Sequence, residues 1–145
     1  HYSEKIMVDD IWEAGDYQKH LQQGDDLGQK MGHAFKNSFE SGYKKVVVIG
    51  TDLFDLTPEL IEESFLSLDS NDVVLGPAKD GGYYLLGMTA FHTSLFNKKA
   101  WGTSSVREDT LKDLTHKKVH LLKELNDIDV VEDIKHHPNF AKFIT

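Results

Sequence analysis

Hydrophobic residues in the first third of the chain recur at helical spacing. The residues concerned are Leu27, Met31, Ala34, Phe35 and Phe39. This spacing predicts an amphipathic helix with one face turned to a core. Asp26 is expected to cap the start of this helix, with Gln29 in the position of a capping box, and Gly42 is expected to end it.

Short apolar runs predict four strands, at residues 46–50, 72–77, 83–88 and 119–122. The first run, Val46–Ile49, is β-branched throughout and shows no alternation. Such a run is typical of a strand that is covered on both faces. We therefore expect residues 46–50 to form an interior parallel strand with neighbours on both sides.

Three more helices are predicted between and after these strands. Thr57 as N-cap and Pro58 at the first helical position mark one helix start, and the inward side chains of that helix are expected to be Ile61, Phe65 and Leu68. Another helix follows Ser105, with Val106, Leu111 and Leu114 turned inward, and a last short one is expected at residues 130–136. Strands that alternate with helices predict a single α/β domain, a sheet sandwiched by helices.

Composition narrows the class of protein. The 145 residues include 16 basic and 24 acidic ones, a formal net charge of −8; this disfavours free nucleic acid as a partner, because its backbone demands a basic face. The absence of cysteine excludes disulfides and zinc–thiolate sites. No apolar run is long enough to span a bilayer, and no signal-peptide pattern opens the sequence, so a cytoplasmic location is expected.

Two carboxylates follow the first predicted strand. Asp52 lies two residues after Gly50, and Asp55 comes soon after it. Ligands of open α/β sheets collect at the carboxyl ends of the strands, and magnesium or manganese binds one or two carboxylates together with water and ligand phosphates. Asp52 is therefore a candidate ligand of a divalent cation, Mg²⁺ or Mn²⁺. The alternative is that Asp52 caps a turn or the following helix.

The phosphate-binding capacity of the chain bears on the same question. Arg107 is the only arginine, and arginine is the usual bidentate partner of phosphate. A phosphorylated ligand would therefore need a metal ion for much of its charge neutralisation, or basic residues from outside this sequence.

A charged hinge loop, residues 77–82, separates the second and third predicted strands. It contains Lys79, Asp80, Gly81 and Gly82, and two tyrosines follow it. Glycines let a ligand approach the backbone closely, and a spare aromatic ring beside them suits sugar or base stacking. The alternative is a plain hairpin whose glycines serve only the turn.

Three acidic or aromatic residues elsewhere are further candidates. Asp127 and Asp129 precede the last predicted helix; one of them could cap that helix, and the other could reach a metal. Trp12 lies in an acidic segment and either packs against the sheet or covers a pocket.

Five motifs together resemble a known bacterial family. In chain order they are Gly24-Asp25-Asp26-Leu27-Gly28-Gln29-Lys30-Met31, Val48-Ile49-Gly50-Thr51-Asp52, Gly76-Pro77-Ala78-Lys79-Asp80-Gly81-Gly82-Tyr83-Tyr84-Leu85-Leu86-Gly87, Trp101-Gly102-Thr103 and Asp127-Ile128-Asp129. The combination resembles the glycosyltransferase-A-like (GT-A-like) family related to nucleotide-diphospho-sugar transferases, which includes arsenosugar-biosynthesis glycosyltransferases. The resemblance covers nearly the whole chain.

This resemblance implies a fold, a metal and a set of site residues. The implied fold is α/β, a Rossmann-like three-layer sandwich of the GT-A type. The implied roles are catalysis for Asp80, substrate binding for Gly81, Gly82, Tyr83 and Trp101, and binding of a divalent cation (Mg²⁺ or Mn²⁺) for Asp52 and Asp127. The family's opening strand and nucleotide loop have no counterpart here, so we expect residues 1–145 to form one GT-A-like domain that lacks both.

Three functions are compatible with these observations. The first is a metal-dependent glycosyltransferase that uses a nucleotide-diphosphate sugar donor and a small-molecule acceptor. The second is a nucleotidyltransferase, because the motifs are also similar to those of guanylyltransferases. The third is a non-catalytic module that binds nucleotide sugars.

Overall fold

The structure of the protein is a computed structural model, and it describes residues 1–13, 15–51 and 53–126. In chain order its elements are α1 (Leu27–Glu40), β1 (Val46–Ile49), α2 (Pro58–Ser67), β2 (Val73–Pro77), β3 (Tyr83–Met88), the short 3-10 helix η1 (Thr93–Phe96), α3 (Val106–Asp113) and β4 (Val119–Leu121). The fold is thus mixed α/β, and the three predicted helices and four predicted strands in this part of the chain are confirmed. The predicted short helix at residues 130–136 lies outside the described residues.

The helix starts follow the capping residues that the sequence predicts. Asp26 accepts a hydrogen bond from the backbone N–H of Gln29 at 2.8 Å, and Gln29 reaches back to the backbone N–H of Asp25 at 3.0 Å. The reciprocal bond of the capping box therefore goes to the residue before the N-cap. At α2, the Thr57 hydroxyl accepts from the N–H of Leu60 at 3.4 Å, and proline occupies the first turn.

The four strands form one mixed sheet in the order β1-β3-β2-β4. β3 is antiparallel to both β1 and β2, whereas β4 is parallel to β2. Within the described residues β1 therefore lies at an edge of the sheet, and the prediction of an interior parallel strand at residues 46–50 is wrong. Both faces of β1 are half-buried by packing. This burial accounts for the unbroken β-branched run, and it requires no strand on the second edge of β1.

Hydrophobic side chains pack on both faces of this sheet. One cluster joins α1 and the segment from η1 to α3 to the sheet and contains Phe35, Val73, Leu75, Leu86, Met88, Leu95, Phe96 and Leu114. The other lies under α2 and contains Leu68, Val74, Tyr84, Leu85, Leu122 and Leu125. Neighbouring residues of β2 and β3 enter different clusters because side chains alternate along a strand. Burial of each large aliphatic side chain contributes about 1.5–3 kcal/mol, so the two clusters fix the helices on the sheet.

The face that α2 buries differs from the predicted one. Leu60 and Leu68 pack into the cluster and Ser64 is fully buried, whereas Phe65 is 39% exposed. The buried Ser64 hydroxyl has a hydrogen-bond partner, because it donates to the carbonyl of Ile61 at 2.6 Å. A small polar residue can therefore occupy the contact between helix and sheet, which hydrophobic spacing alone does not reveal.

Tyr84 provides a test of this packing. Its ring is buried and its hydroxyl donates to the carbonyl of Lys123 at 2.9 Å. Burial, together with the negative charge of Glu63, raises the pKa of Tyr84 from 10.0 to about 12. A raised pKa favours the neutral hydroxyl in the folded state, so its contribution to stability is present below the unfolded value and is lost as pH rises through the folded one.

We expect Tyr84→Phe to lower the free energy of unfolding by about 1 kcal/mol at neutral pH, because it removes that hydrogen bond. The deficit should shrink above pH 10.0, the ordinary value from which the pKa of Tyr84 is raised, since only the parent must then keep this hydroxyl protonated. Urea denaturation of both proteins at pH 7 and pH 11 measures the difference. An equal deficit at the two pH values would contradict the assignment.

No helix in the described ranges has the length and apolar character that crossing a bilayer requires.

Candidate functional site

The hinge loop lies where several strands end. β1, β2 and β4 run in the same direction, because β3 is antiparallel to both β1 and β2 and β4 is parallel to β2. Their carboxyl ends therefore share one edge of the sheet, and β3 begins at that edge. Asp80 and Gly82 of the hinge loop lie there, as does Thr51 after β1, and this edge is where ligands of α/β sheets bind.

The hinge loop is a tight hairpin turn. The N–H of Ala78 donates to the carbonyl of Gly82 at 3.1 Å, and the N–H of Gly81 donates to the carbonyl of Ala78 at 3.2 Å. Gly81 has a φ of 92°, the left-handed position of a three-residue hairpin loop. The Asp80 carboxylate accepts a hydrogen bond from the N–H of Gly82 at 2.8 Å, and this bond stabilises the turn.

Arg107 donates hydrogen bonds to two backbone carbonyls of the hinge loop. Its backbone N–H donates to the carbonyl of Gly81 at 3.0 Å. Its guanidinium donates to the carbonyl of Ala78 at 3.2 Å and pairs with Glu124 at 2.9 Å. The only arginine of the chain therefore supports the turn that carries Asp80. On the other side, the N–H of Lys79 donates to the carbonyl of Leu125 at 3.0 Å.

A cleft of about 810 Å³ opens beside this edge. Four of the predicted site residues line it, namely Asp80, Gly82, Tyr83 and Trp101. Its remaining walls include Lys30 and Met31 of α1 and residues 46–51 of β1 and its C-terminal extension. Gly81 faces away from it: a Cβ there would lie 2.3 Å from the carbonyl oxygen of Ser104.

Neither tyrosine of the pair presents its hydroxyl to the cleft. The hydroxyl of Tyr84 bonds to Lys123. The hydroxyl of Tyr83 is buried beside the hydroxyl of Thr110, away from the cleft. Burial raises the pKa of Tyr83, so this residue stays neutral and offers the cleft only its ring.

The indole of Trp101 packs against the first turn of α1. A Cβ added at Gly28 would come within 2.5 Å of indole atoms Cζ2 and Nε1. Gly28 itself is buried, so the ring covers it. The sequence contains a signal for this contact, a glycine inside a predicted helix, where glycine is destabilising by about 0.5–1 kcal/mol relative to alanine.

Another wall of the cleft, which the sequence did not predict, comes from the N-terminal part of the chain and consists of His1, Tyr2, Trp12, Tyr17, Gln18, Lys19 and Gln22. Tyr2 and Leu21 pair as an isolated bridge, and the Asp10 carboxylate accepts from Tyr2, from the Trp12 N–H and from Lys19. These bonds lower the pKa of Asp10, with the Lys19 hydrogen bond as the largest cause. Trp12, whose role was left open between packing and covering a pocket, lines the cleft in contact with Tyr17 at a ring-centroid distance of 5.0 Å.

The two predicted metal ligands, Asp52 and Asp127, lie outside the described residues, as does Asp129. The residues next to Asp52 in sequence, Gly50 and Thr51, line the cleft. Within residues 1–13, 15–51 and 53–126, no three His, Asp or Glu side chains come together to hold a metal ion. Asp80 is the carboxylate that the described residues place in the cleft, and a divalent cation there remains a prediction.

Similarity to known proteins agrees with this architecture. The chain is 31% identical to the crystal structure of a "putative nucleotide-diphospho-sugar transferase" from Desulfovibrio desulfuricans G20, with a TM-score of 0.75. The match covers 85% of this chain and 60% of that one, so the present chain spans about three fifths of the length of that protein. Among curated proteins, none matches the chain.

A family model extends over most of the residues that build the cleft. It matches residues 3–103, from the N-terminal wall through α1, β1 and the hinge loop to Trp101. The chain therefore belongs to the bacterial family described as "Uncharacterized protein conserved in bacteria (DUF2064)".

Proposed function

We propose that the chain forms the sugar-handling part of a glycosyltransferase that uses a nucleotide-diphosphate sugar as donor and a small molecule as acceptor. The observation that carries this proposal is the meeting of Asp80, Gly82 and Trp101 in one cleft at the carboxyl edge of the sheet. The similarity to a protein named for nucleotide-diphospho-sugar transfer supports it. The three-layer GT-A-type fold and the narrower resemblance to arsenosugar-biosynthesis glycosyltransferases belong to the same proposal.

Asp80 is suited to act on a hydroxyl group. One of its carboxylate oxygens accepts from the N–H of Gly82, and this bond fixes the side chain relative to the backbone of the hinge loop. The other oxygen makes no hydrogen bond to any described residue, so it can accept one from an acceptor hydroxyl. A carboxylate at hydrogen-bond distance from a hydroxyl can take its proton as that oxygen attacks.

The proposed transfer is a single substitution at the anomeric carbon of the donor sugar. The acceptor oxygen forms a bond to the anomeric carbon of the donor sugar, and the bond between that carbon and the diphosphate oxygen breaks. The proton of the acceptor hydroxyl goes to Asp80, and the nucleoside diphosphate leaves with the bonding electrons. A divalent cation, proposed for Asp52 and Asp127, would neutralise charge on the diphosphate.

Product identity tests this proposal. Nucleotide sugars are screened by thermal shift with and without manganese, and those that stabilise the protein are incubated with candidate acceptors. A ligand at a hundred times its dissociation constant should add about 2.7 kcal/mol to the free energy of unfolding. Release of a nucleoside diphosphate supports glycosyl transfer, release of pyrophosphate indicates nucleotidyl transfer instead, and binding without turnover indicates a non-catalytic module.

Asp80→Asn separates the chemical role of this residue from its structural one. The amide oxygen of asparagine can still accept from the N–H of Gly82, so the turn should keep its stability to within about 0.5 kcal/mol. The side chain can no longer take a proton, so the turnover rate should fall by about a hundredfold. Steady-state kinetics and urea denaturation of the same preparation measure both effects. A variant that turns over at the parental rate would show that Asp80 only shapes the turn.

A further inference from the structure

We propose that Gly28 is a positioning residue whose missing side chain lets the indole of Trp101 pack against α1, and that a face of this indole stacks on the sugar ring of the donor. This inference rests on the proposed function. It adds the part of the ligand that Trp101 contacts and the helix residue that makes the contact possible.

The indole of Trp101 packs directly against the backbone of α1 at Gly28. Even the smallest side chain at Gly28 would place its Cβ 2.5 Å from Cζ2 and Nε1 of Trp101, which no real contact allows. The Nε1–Cε2–Cζ2 edge of the ring is therefore supported by helix backbone. An aromatic ring supported in this way keeps its orientation without a ligand, and a preformed binding surface loses little entropy on binding.

The segment that carries Trp101 also packs against the hinge loop. The hydroxyl of Thr103 donates to the carbonyl of Ala100 at 2.7 Å and closes a turn around Trp101. The backbone of Ser104 packs on the open face of Gly81, where a Cβ would lie 2.3 Å from its carbonyl oxygen. Trp101 and Asp80 thus belong to two turns that touch each other, and both line the cleft.

This pairing of groups suits a sugar ring. A sugar presents hydroxyls at its rim and C–H groups on its faces. Asp80 is placed to take the proton of the acceptor hydroxyl as that oxygen attacks the donor sugar, so the reacting sugar ring lies beside this carboxylate, where the indole can cover one of its C–H faces. A nucleobase has a π-face and would also stack on an indole, but the ribose and the diphosphate separate it from the reacting carbon. The sugar is therefore the ring that we assign to Trp101.

Gly32 provides a matched control in the same helix. Like Gly28 it is a buried glycine of α1, so alanine should improve helix propensity equally at both positions. A Cβ at Gly32 would lie 3.4 Å from the ring of Phe96, which is an ordinary contact. Gly32→Ala should therefore fold as well as the parent, with a melting temperature unchanged or raised by about 3 °C.

The test follows the fluorescence of Trp101 during ligand binding. Trp12 also lines the cleft, so it is left in place, and the emission of Trp101 is taken as the difference between the parent and Trp101→Leu under excitation selective for tryptophan. UDP-glucose and GDP-mannose are compared with UDP and GDP. We expect the sugar nucleotides to quench or shift the emission of Trp101 and the bare nucleotides to leave it nearly unchanged.

Gly28→Ala should change the emission of Trp101 before any ligand is added and weaken nucleotide-sugar binding about tenfold. Gly32→Ala should leave both at parental values. If Gly28→Ala folds too poorly for a binding measurement, Trp101→Leu removes the ring without the clash, and its affinity by thermal shift should fall by the same factor.

Four results would overturn the inference. Parental emission and affinity in Gly28→Ala would show that Gly28 does not position Trp101. Equal responses to UDP and UDP-glucose would assign the ring to the base. Nucleotide sugars that stabilise the protein without changing Trp101 emission would refute the stacking while the proposed function stands. No stabilisation by any nucleotide sugar, with or without manganese, would overturn the proposed function and this inference together.

Discussion

Replacing Gly81 with valine is expected to lower the free energy of unfolding by roughly 3–5 kcal/mol, enough to unfold much of the protein. Gly81 has a φ of 92°, which a β-branched residue rarely adopts. A Cβ there would also lie 2.3 Å from the carbonyl oxygen of Ser104, and 2.7 Å from its Cα. Backbone atoms cannot rotate away, so the variant must open the contact between the hinge loop and the turn before α3.

Gly82→Ala is the matched control for this prediction. Gly82 has no positive φ, and a Cβ there would approach the Asp80 carboxylate to 3.2 Å. We expect its free energy of unfolding to stay within about 1 kcal/mol of the parent, while the added methyl group weakens ligand binding in the cleft. Urea denaturation of the two variants decides the matter. A Gly81→Val protein as stable as Gly82→Ala would show that the turn and Ser104 do not make the contact described here.

The different positions of Gly81 and Gly82 could not be predicted from the sequence. The motif Asp80-Gly81-Gly82 left open whether its glycines serve a turn or a ligand, and the structure distinguishes the two residues. Gly81 serves the turn and Gly82 borders the cleft. The distinction depends on which side of the loop Ser104 occupies, a contact between residues 23 positions apart, and no local pattern encodes it.

Local signals predicted the elements well. The N-caps Asp26 and Thr57 and the proline of α2 fixed the helix starts, because the bonds that satisfy the first turn are made by residues close in sequence. Strand pairing was harder. A β-branched run indicates burial of the two faces of a strand, but it says nothing about its two edges, and for this reason β1 was wrongly predicted as an interior strand.

Long-range contacts also decide the composition of the candidate site. Trp101 follows Asp80 by 21 residues and Gly28 precedes it by 52, yet all three meet at one edge of the sheet. The family resemblance selected Asp80 and Trp101 from their motifs. It did not select Gly28, because the role of that residue is visible only where the indole covers the helix.

The second large effect concerns Asp52, which we expect to be required for metal-dependent binding. Asp52→Asn should abolish the extra stabilisation that manganese gives in the presence of a nucleotide sugar, about 2.7 kcal/mol at a hundred times the dissociation constant. Asparagine keeps the shape and one acceptor oxygen of aspartate but loses the charge that holds a hard cation. The melting temperature of the ligand-free protein should stay nearly unchanged.

A capping role for Asp52 predicts the opposite pattern. Asparagine caps about as well as aspartate, so both the apo stability and the response to manganese would survive the substitution. Glu62→Gln is the control for lost charge alone, because Glu62 is exposed on α2, which packs on the other sheet face. Calorimetric titration of manganese and nucleotide sugar into the three full-length proteins separates the cases. Parental affinity in Asp52→Asn would remove Asp52 from the metal site, and a loss shared by Glu62→Gln would attribute the effect to net charge.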